Sequence, residues 1–288
     1  MGFNPTWPGQ YQPTATKDTW KIVDNIGQYS DSGDTISTQF SDADYPEALR
    51  GLYILLHSGS DQYYGTDYDS PGWDNVVNGN KGDDNLWGYN ASRDFLRGGK
   101  DNDYITGQSN GNDFLLGDAG DDRVFGSVSG NNIVRGGKGN DYLQGGTGDK
   151  RDLLLGDFGK DAMRGGGGSD FFVLRSDTSS SSGLSNLTPN AAEADIIKDF
   201  KSDDYLVFPG ITTNEDVRYQ WDNGNYLVRV RTDSDFQYAA VLESVGLLDL
   251  PTTPQTIVGQ KATDILAAAD GDSNAFGNNP NLLNSFGI

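Results

Sequence analysis

The chain has 288 residues, enough for one or two domains with a sizeable core, and sets 42 acidic against 21 basic residues, a formal net charge of −21. That balance argues against phosphate backbones and anionic lipid surfaces as partners and favours divalent cations. There is no cysteine, which excludes disulfides and thiolate–metal frameworks.

The opening "MGFNPTWPGQ" lacks the basic and apolar regions of a cleavable signal. Trp7 stands where a myristoylation motif wants a nearby Ser or Thr, so any export is expected to use another route. The longest apolar stretch of this region, "LYILL" (52–56), is too short to span a bilayer, and no membrane insertion is expected. Residues 1–78 are rich in aromatics: Trp7, Trp20, Trp73 and "DQYYGTDYDS" (61–70). Two readings stand for them, packing in a small β-cap or a ligand-binding, adhesive surface. A short helix around Tyr45–Arg50 and a strand at Leu52–His57 are expected. His57, with Ser58, Ser60 and Asp61, has the letters of a catalytic triad, but such residues normally converge from distant segments. It reads as a surface or strand-end histidine.

Residues 79–173 differ from everything around them. All ten prolines fall outside this stretch, which holds 23 of the 39 glycines. The glycines are in register: units lead off at Gly79, Gly88, Gly98, Gly107, Gly117, Gly126, Gly136, Gly145, Gly156 and Gly165, mostly nine and ten residues long in alternation. Ten such units are a repeat architecture rather than a linker. The units follow G-G-x-G-x-D-x-U-x, with U a large apolar residue, and the glycine pattern breaks in some of them.

In that motif the sequence resembles the repeats-in-toxin (RTX) family of secreted calcium-binding proteins. The resemblance covers about a third of the chain and implies an all-β fold, a calcium-binding parallel β-roll. Six residues of each unit would form a turn and three a strand, with two units per coil and successive turns on opposite sides. Small, mostly antiparallel β-caps would flank the roll, giving regions 1–78, 79–173, 174–250 and 251–288. Physical chemistry leads the same way. Coils stack about 4.8 Å apart, which puts Asp84, Asp103, Asp122, Asp141 and Asp161 in one column. Neighbouring carboxylates would repel by about 1 kcal/mol in water and about 3.5 kcal/mol at an effective dielectric of 20. A Ca²⁺ ion between coils reverses the sign, taking carboxylates plus backbone carbonyls that glycine leaves uncovered. The carbonyl donors expected are Gly79, Lys81, Gly98, Lys100, Gly117, Ala119, Gly136, Lys138, Gly156 and Phe158. The competing reading is a metal-free glycine-rich solenoid.

The two sides are not equal. The nine-residue loops stack on the first side, with Asp101 standing for one glycine, and enclose four inter-coil sites. The second side reads "GYNASRD", "GQSNGND", "GSVSGNN" and "GTGDKRD"; Asn132 replaces one aspartate, and Arg93 and Arg151 precede two others. Asp94, Asp113, Asp152 and Asp170 are therefore expected to form weaker or absent sites. "GGTGDK" (145–150) resembles a phosphate loop, but its place in the repeat explains it better.

The U positions Leu86, Ile105, Val124, Leu143 and Met163, and on the other sheet Leu96, Leu115, Val134, Leu154 and Phe172, are expected inward. Phe95, Phe114, Ile133, Leu153 and Phe171, with Leu116 and Leu155, form an outward apolar ladder too long to be left in water. A flanking region or another molecule should cover it. Downstream, "EADIIKDFKSDDYLVFPGI" (193–211) resembles the segment after the roll in RTX proteins, around Asp195, Asp199 and Phe200. It is either a capping region with its own calcium or an ordinary acidic turn. "VRYQWDNGNYLVRVR" predicts a hairpin at Asn223-Gly224, and "YAAVLESV" (238–245) a third strand. "ATDILAAAD" (262–270) predicts a helix starting at Thr263 or Asp264. By family resemblance the C-terminal tail would hold an uncleaved type I secretion signal.

Catalysis is not expected. One histidine excludes H-E-x-x-H, and there is no G-x-S-x-G; a carboxylate-pair glycosidase stays open because its geometry is not legible in sequence. The favoured reading is a secreted calcium-dependent structural protein, folding on calcium and forming a homo-oligomer or filament. A calcium-dependent adhesin and, behind it, a hydrolase with an RTX module are the alternatives.

Overall fold

The computed structural model describes residues 21–23, 26–28, 33, 35–37, 53–65, 75–88, 93–176, 186–232, 235–243 and 254–270. The expectations at Tyr45–Arg50, the three N-terminal tryptophans and the C-terminal tail lie outside them.

The chain winds as a flattened coil between two sheets, each of eleven strands among the described residues. Sheet I takes Lys21–Val23, Ile26–Gln28, Tyr53–Leu55, Asn75–Asn78, Asp94–Lys100 and Phe114–Ala119, then Ile133–Lys138, Leu153–Phe158, Phe171–Val173, Tyr205–Val207 and Gln255–Ile257. Sheet II takes Thr35–Ser37, Gln62–Tyr64, Asn85–Trp87, Tyr104–Thr106, Arg123–Phe125, Tyr142–Gln144, Ala162–Arg164 and Asp195–Ile197, and closes with Phe236–Leu242, Asn225–Arg231 and Val217–Asp222. Neighbours pair in parallel and in register, Leu96 with Leu115 and Val134, Ile105 with Val124. Antiparallel pairing appears at the ends: Lys21–Val23 with Ile26–Gln28, and the hairpin of Val217–Asp222 with Asn225–Arg231. Asn223 and Gly224 turn that hairpin with φ 49° and 92°, as the Asn-Gly pair predicts.

Parallel stacking runs past both ends of the glycine repeat. Tyr63 stacks under Leu86, and Ile196 and Ile197 sit over Ala162 and Met163. A coil survives without the leading glycines provided an inward apolar residue and its strand partners remain. On the first side the turn is also tighter to the sheet than expected: strands of sheet I run on to Lys100, Ala119, Lys138 and Phe158, the third residue of each loop. The first three loop residues thus continue the ladder, and the true turn is only three residues long.

All ten U side chains expected inward are fully buried in one core between the sheets, each stabilising by about 1.5–3 kcal/mol. A second core lies on the outer face of sheet I. Phe114, Ile133, Leu153, Leu155, Phe171, Val173 and Val207 are buried there with Ala262 and Ile265 of the helix Gln260–Asp270. A flanking helix therefore packs on this cluster, while Phe95 and Leu116 of the ladder stay half-buried. The helix begins three residues before the expected Thr263, because Gly259, with φ 72°, turns the chain into it. Thr263 sits inside the first turn, its amide and hydroxyl both donating to the Gly259 carbonyl. Ile265→Ala should cost about 2–4 kcal/mol; urea unfolding followed by circular dichroism would check this.

On the outer face of sheet II, Tyr64, Trp87, Tyr104, Phe125 and Tyr142 form a half-buried aromatic file with centroid spacings of 4.7, 6.0, 5.3 and 5.7 Å. Tyr64 and Trp87 stack face to face and the other three pairs are tilted by 38–45°, so the file links successive coils through ring contacts.

Two turn columns as a candidate metal site

Each aspartate of the motif points into its turn and hydrogen bonds along the roll. The backbone N–H of Asp84 donates to Oδ1 of Asp103 at 2.9 Å, Asp103 to Asp122 at 2.8 Å, Asp122 to Asp141 at 2.9 Å and Asp141 to Asp161 at 2.9 Å. The column is longer than the sequence suggests. Asp61 donates to Asp84 at its upstream end, and Asp195 accepts from Asp161 at its downstream end. Asp61 thus belongs to a turn, and the triad letters around it have a structural explanation: His57, with φ 47°, holds the same left-handed loop position as Asn80, Asp118 and Asp157. Those residues take φ between 72° and 80° where the motif expects its second glycine. The G-x-D-x-U spacing at Gly59, Asp61 and Tyr63 was the available signal.

The leading glycines have a steric task that sequence reasoning missed. In the five first-side units, Oδ2 of the aspartate lies 2.1–2.2 Å from where a Cβ on Gly79, Gly98, Gly117, Gly136 or Gly156 would stand. Any side chain there would displace the carboxylate. The third-position carbonyls, expected to be uncovered, accept backbone N–H groups from the preceding coil. Lys81 accepts from Gly59, Lys100 from Gly82, Lys138 from Gly120 and Phe158 from Gly139, at 2.8–3.1 Å. Each keeps one lone pair; Ala119 holds the matching place in register with Lys100 and Lys138.

A second ladder runs outside the first in the opposite sense. The fifth residue of each unit accepts from the following coil: Asn102 N–H donates to Asp83, Asp121 to Asn102, Asn140 to Asp121 and Lys160 to Asn140, at 2.8–3.0 Å. Asp118 pairs with Arg97, and Asp157 with both Arg135 and Arg175.

One oxygen is left over in every first-side unit. Oδ2 of Asp84, Asp103, Asp122, Asp141 and Asp161 is buried and accepts no hydrogen bond. An unsatisfied buried carboxylate oxygen needs either a proton or a cation. Burial, with neighbouring carboxylates adding to it, pushes Asp103 up to about 9, Asp141 and Asp161 to about 8, Asp84 to about 7 and Asp122 to about 6. Among the described residues no three acidic or histidine side chains converge on one point, so any cation would draw much of its shell from backbone oxygen.

The second column runs Asn75, Asp94, Asp113, Asn132, Asp152, Asp170 and Asp204, with N–H donors at 2.7–3.3 Å from Asp94 onward. Oδ2 of Asp170 has no donor, and burial raises its carboxyl to about 8. Asp152, raised to about 7 by burial, is satisfied at both oxygens: Oδ1 by Asn132, Oδ2 by the Gly146 N–H at 2.5 Å. Downstream, Asp199 accepts from the N–H groups of Gly165 and Gly166 at 2.9 and 3.1 Å, while Lys201 donates its ammonium to the Gly166 carbonyl. Asp199 and Lys201 thus grip the last second-side loop.

Comparison with known families matches the RTX calcium-binding nonapeptide repeat in four copies, at residues 74–92, 109–128, 127–149 and 147–172. Comparison with curated proteins gives no match. Among solved structures, the crystal structure of the extracellular lipase LipA from Serratia marcescens is similar over 73% of this chain, at 15% identity and a TM-score of 0.22. The chain spans 42% of that lipase's length. Glycine, aspartate and inward apolar residue recur together through the stacked turns, and these turns carry RTX calcium-binding nonapeptide repeats.

Proposed function

We propose that this chain is a secreted, calcium-dependent structural protein of a cell surface or extracellular matrix, whose roll folds on calcium and whose copies assemble into filaments or layers. The observation that carries the calcium reading is the file of five buried, donor-less Oδ2 atoms on the first side. A hard cation seated between successive coils answers them, with carboxylate oxygen from the coils it joins and carbonyl oxygen from Gly79, Lys81, Gly98, Lys100, Gly117, Ala119, Gly136, Lys138, Gly156 and Phe158. Calcium suits such a site better than magnesium, since it accepts six to eight oxygens in irregular geometry. The first side takes four ions between its five units. The second takes fewer and weaker ones at Asp94, Asp113, Asp152 and Asp170, because Asn132 interrupts that column and Asp152 already has its donors, although Oδ2 of Asp170 has none.

A structural rather than catalytic role rests on the histidine count and on the packing of the region that held the triad letters, where Asp61 is committed to the turn column. The charge of −21 suits a calcium-rich exterior and disfavours nucleic acid. Among the described residues no helix is long and apolar enough to cross a membrane.

Calcium titration with circular dichroism and sedimentation tests both halves. Gain of β signal with dissociation constants of roughly 10⁻⁴ to 10⁻³ M, together with growth in mass, is the expected result. Gain of β signal at constant mass removes assembly; no response removes calcium. A count of eight or more bound ions overturns the one-sided ladder.

A further inference from the structure

The second column contains a residue that does not fit a cation, and its surroundings say what replaces one. Asn132 is fully buried. Its Nδ2 donates to the Ser127 carbonyl at 2.9 Å, the Gly130 carbonyl at 3.2 Å and Oδ1 of Asp152 at 2.9 Å. Its Oδ1 accepts from the Asp113 N–H at 3.3 Å and the Ser127 hydroxyl at 2.8 Å. Three acceptors surround the nitrogen and two donors the oxygen, so the orientation of the amide follows from the network. At the equivalent place in the first column, Oδ2 of an aspartate faces no donor at all.

The acceptors gathered by that –NH₂ group are of the kind a calcium ion collects: loop carbonyls and the carboxylate of the next coil. They are taken up by N–H bonds, and the remaining Asp152 oxygen is taken by the Gly146 N–H. The same exchange recurs upstream, where Asn75 Nδ2 donates to the Gly88 carbonyl at 2.9 Å and to Oδ1 of Asp94 at 2.6 Å. From this we infer that Asn132 is a built-in substitute for a calcium ion: its amide joins two coils of the second turn without metal, with Asn75 doing likewise at the upstream end. The inference rests on the calcium reading of the first turn and divides the roll into a metal-dependent edge and a partly metal-free one.

The test compares the full chain with Asn132→Asp, which turns the donor into a further acceptor and leaves the carbonyls and Asp152 facing one another. Bound calcium is counted by equilibrium dialysis, and thermal unfolding is followed with calcium and with chelator. The variant should bind one more calcium per chain than the wild type, and in chelator should need a lower pH than the wild type to fold while recovering in calcium. An unchanged count in a folded variant overturns the inference. Should the variant not fold in either condition, anomalous scattering from calcium-soaked wild-type crystals decides: no ion beside Asn132 supports the inference, and an ion there overturns it. Ions in the first turn plus one beside Asn132 would sink the inference alone. No bound ion anywhere would sink the calcium reading and the inference together.

Discussion

Removing calcium at pH 8 should unfold the roll, and removing it near pH 4.5 should not. The reason lies in the sign of the carboxyl shifts. Asp84, Asp103, Asp122, Asp141 and Asp161 are raised from 3.8 to between about 6 and about 9. Without metal the folded state therefore holds protons that the unfolded state has released. Stability is then greatest below the raised values and falls as pH climbs from about 4 through 9, the reverse of the usual aspartate behaviour. Charging the metal-free column therefore works against folding at every one of the five carboxyls. Calcium reverses the slope, because it binds the deprotonated carboxylates and is displaced by acid. Melting followed by circular dichroism on a grid of pH and calcium should show calcium raising the midpoint strongly at pH 8 and hardly at pH 4.5. A metal-free protein that melts equally well at both pH values would contradict the argument.

Asp122→Ala should be strongly destabilising, as should truncation of Asp103 or Asp141, which hold equivalent places in the column, and Asp122→Asn should separate its two tasks. Alanine removes the acceptor of the buried Asp103 N–H, at about 1–3 kcal/mol. It also impairs the two proposed calcium sites that Asp122 borders, each contributing about 1.4 kcal/mol at calcium ten times the dissociation constant. The expected loss in calcium is about 4–6 kcal/mol. Asparagine keeps an Oδ1 acceptor, as Asn132 does for Asp113, while dropping one buried charge. It should therefore lose ion binding in calcium yet, in chelator, fold at a higher pH than the wild type as pH is lowered from 8 towards 4.5. Equal behaviour of the two variants in chelator would mean that the hydrogen bond of Asp122 contributes nothing measurable.

Legibility in the sequence followed the glycines. Where they keep register, the frame of the roll, the inward row from Leu86 to Met163 and the two aspartate columns can be written down in advance, because a fixed period leaves little freedom in what stacks on what. The outward ladder at Phe95, Phe114 and Ile133 was equally visible, though not that Ala262 and Ile265 join the cluster it forms, since that packing joins segments far apart in the chain. Asp61 was obscured because its unit has no leading glycine and because neighbouring letters suggested another chemistry. The amide role of Asn132 needed geometry: a sequence shows a missing charge, whereas only the folded chain shows that its nitrogen has three acceptors. Asp199 and Lys201 act on loop residues 33–35 positions away, beyond any local pattern.

The two opposed side-chain ladders link residues mostly 19 positions apart, and Lys160 and Asp161 absorb a step of 20 without breaking either. Every rung is written in the same two letters and refers only to the adjacent rung, so the molecule has no privileged middle. Duplication or loss of one whole winding would leave its neighbours meeting the same partners as before. Length in such a chain is a heritable dial, set by copy number and independent of how either end is finished.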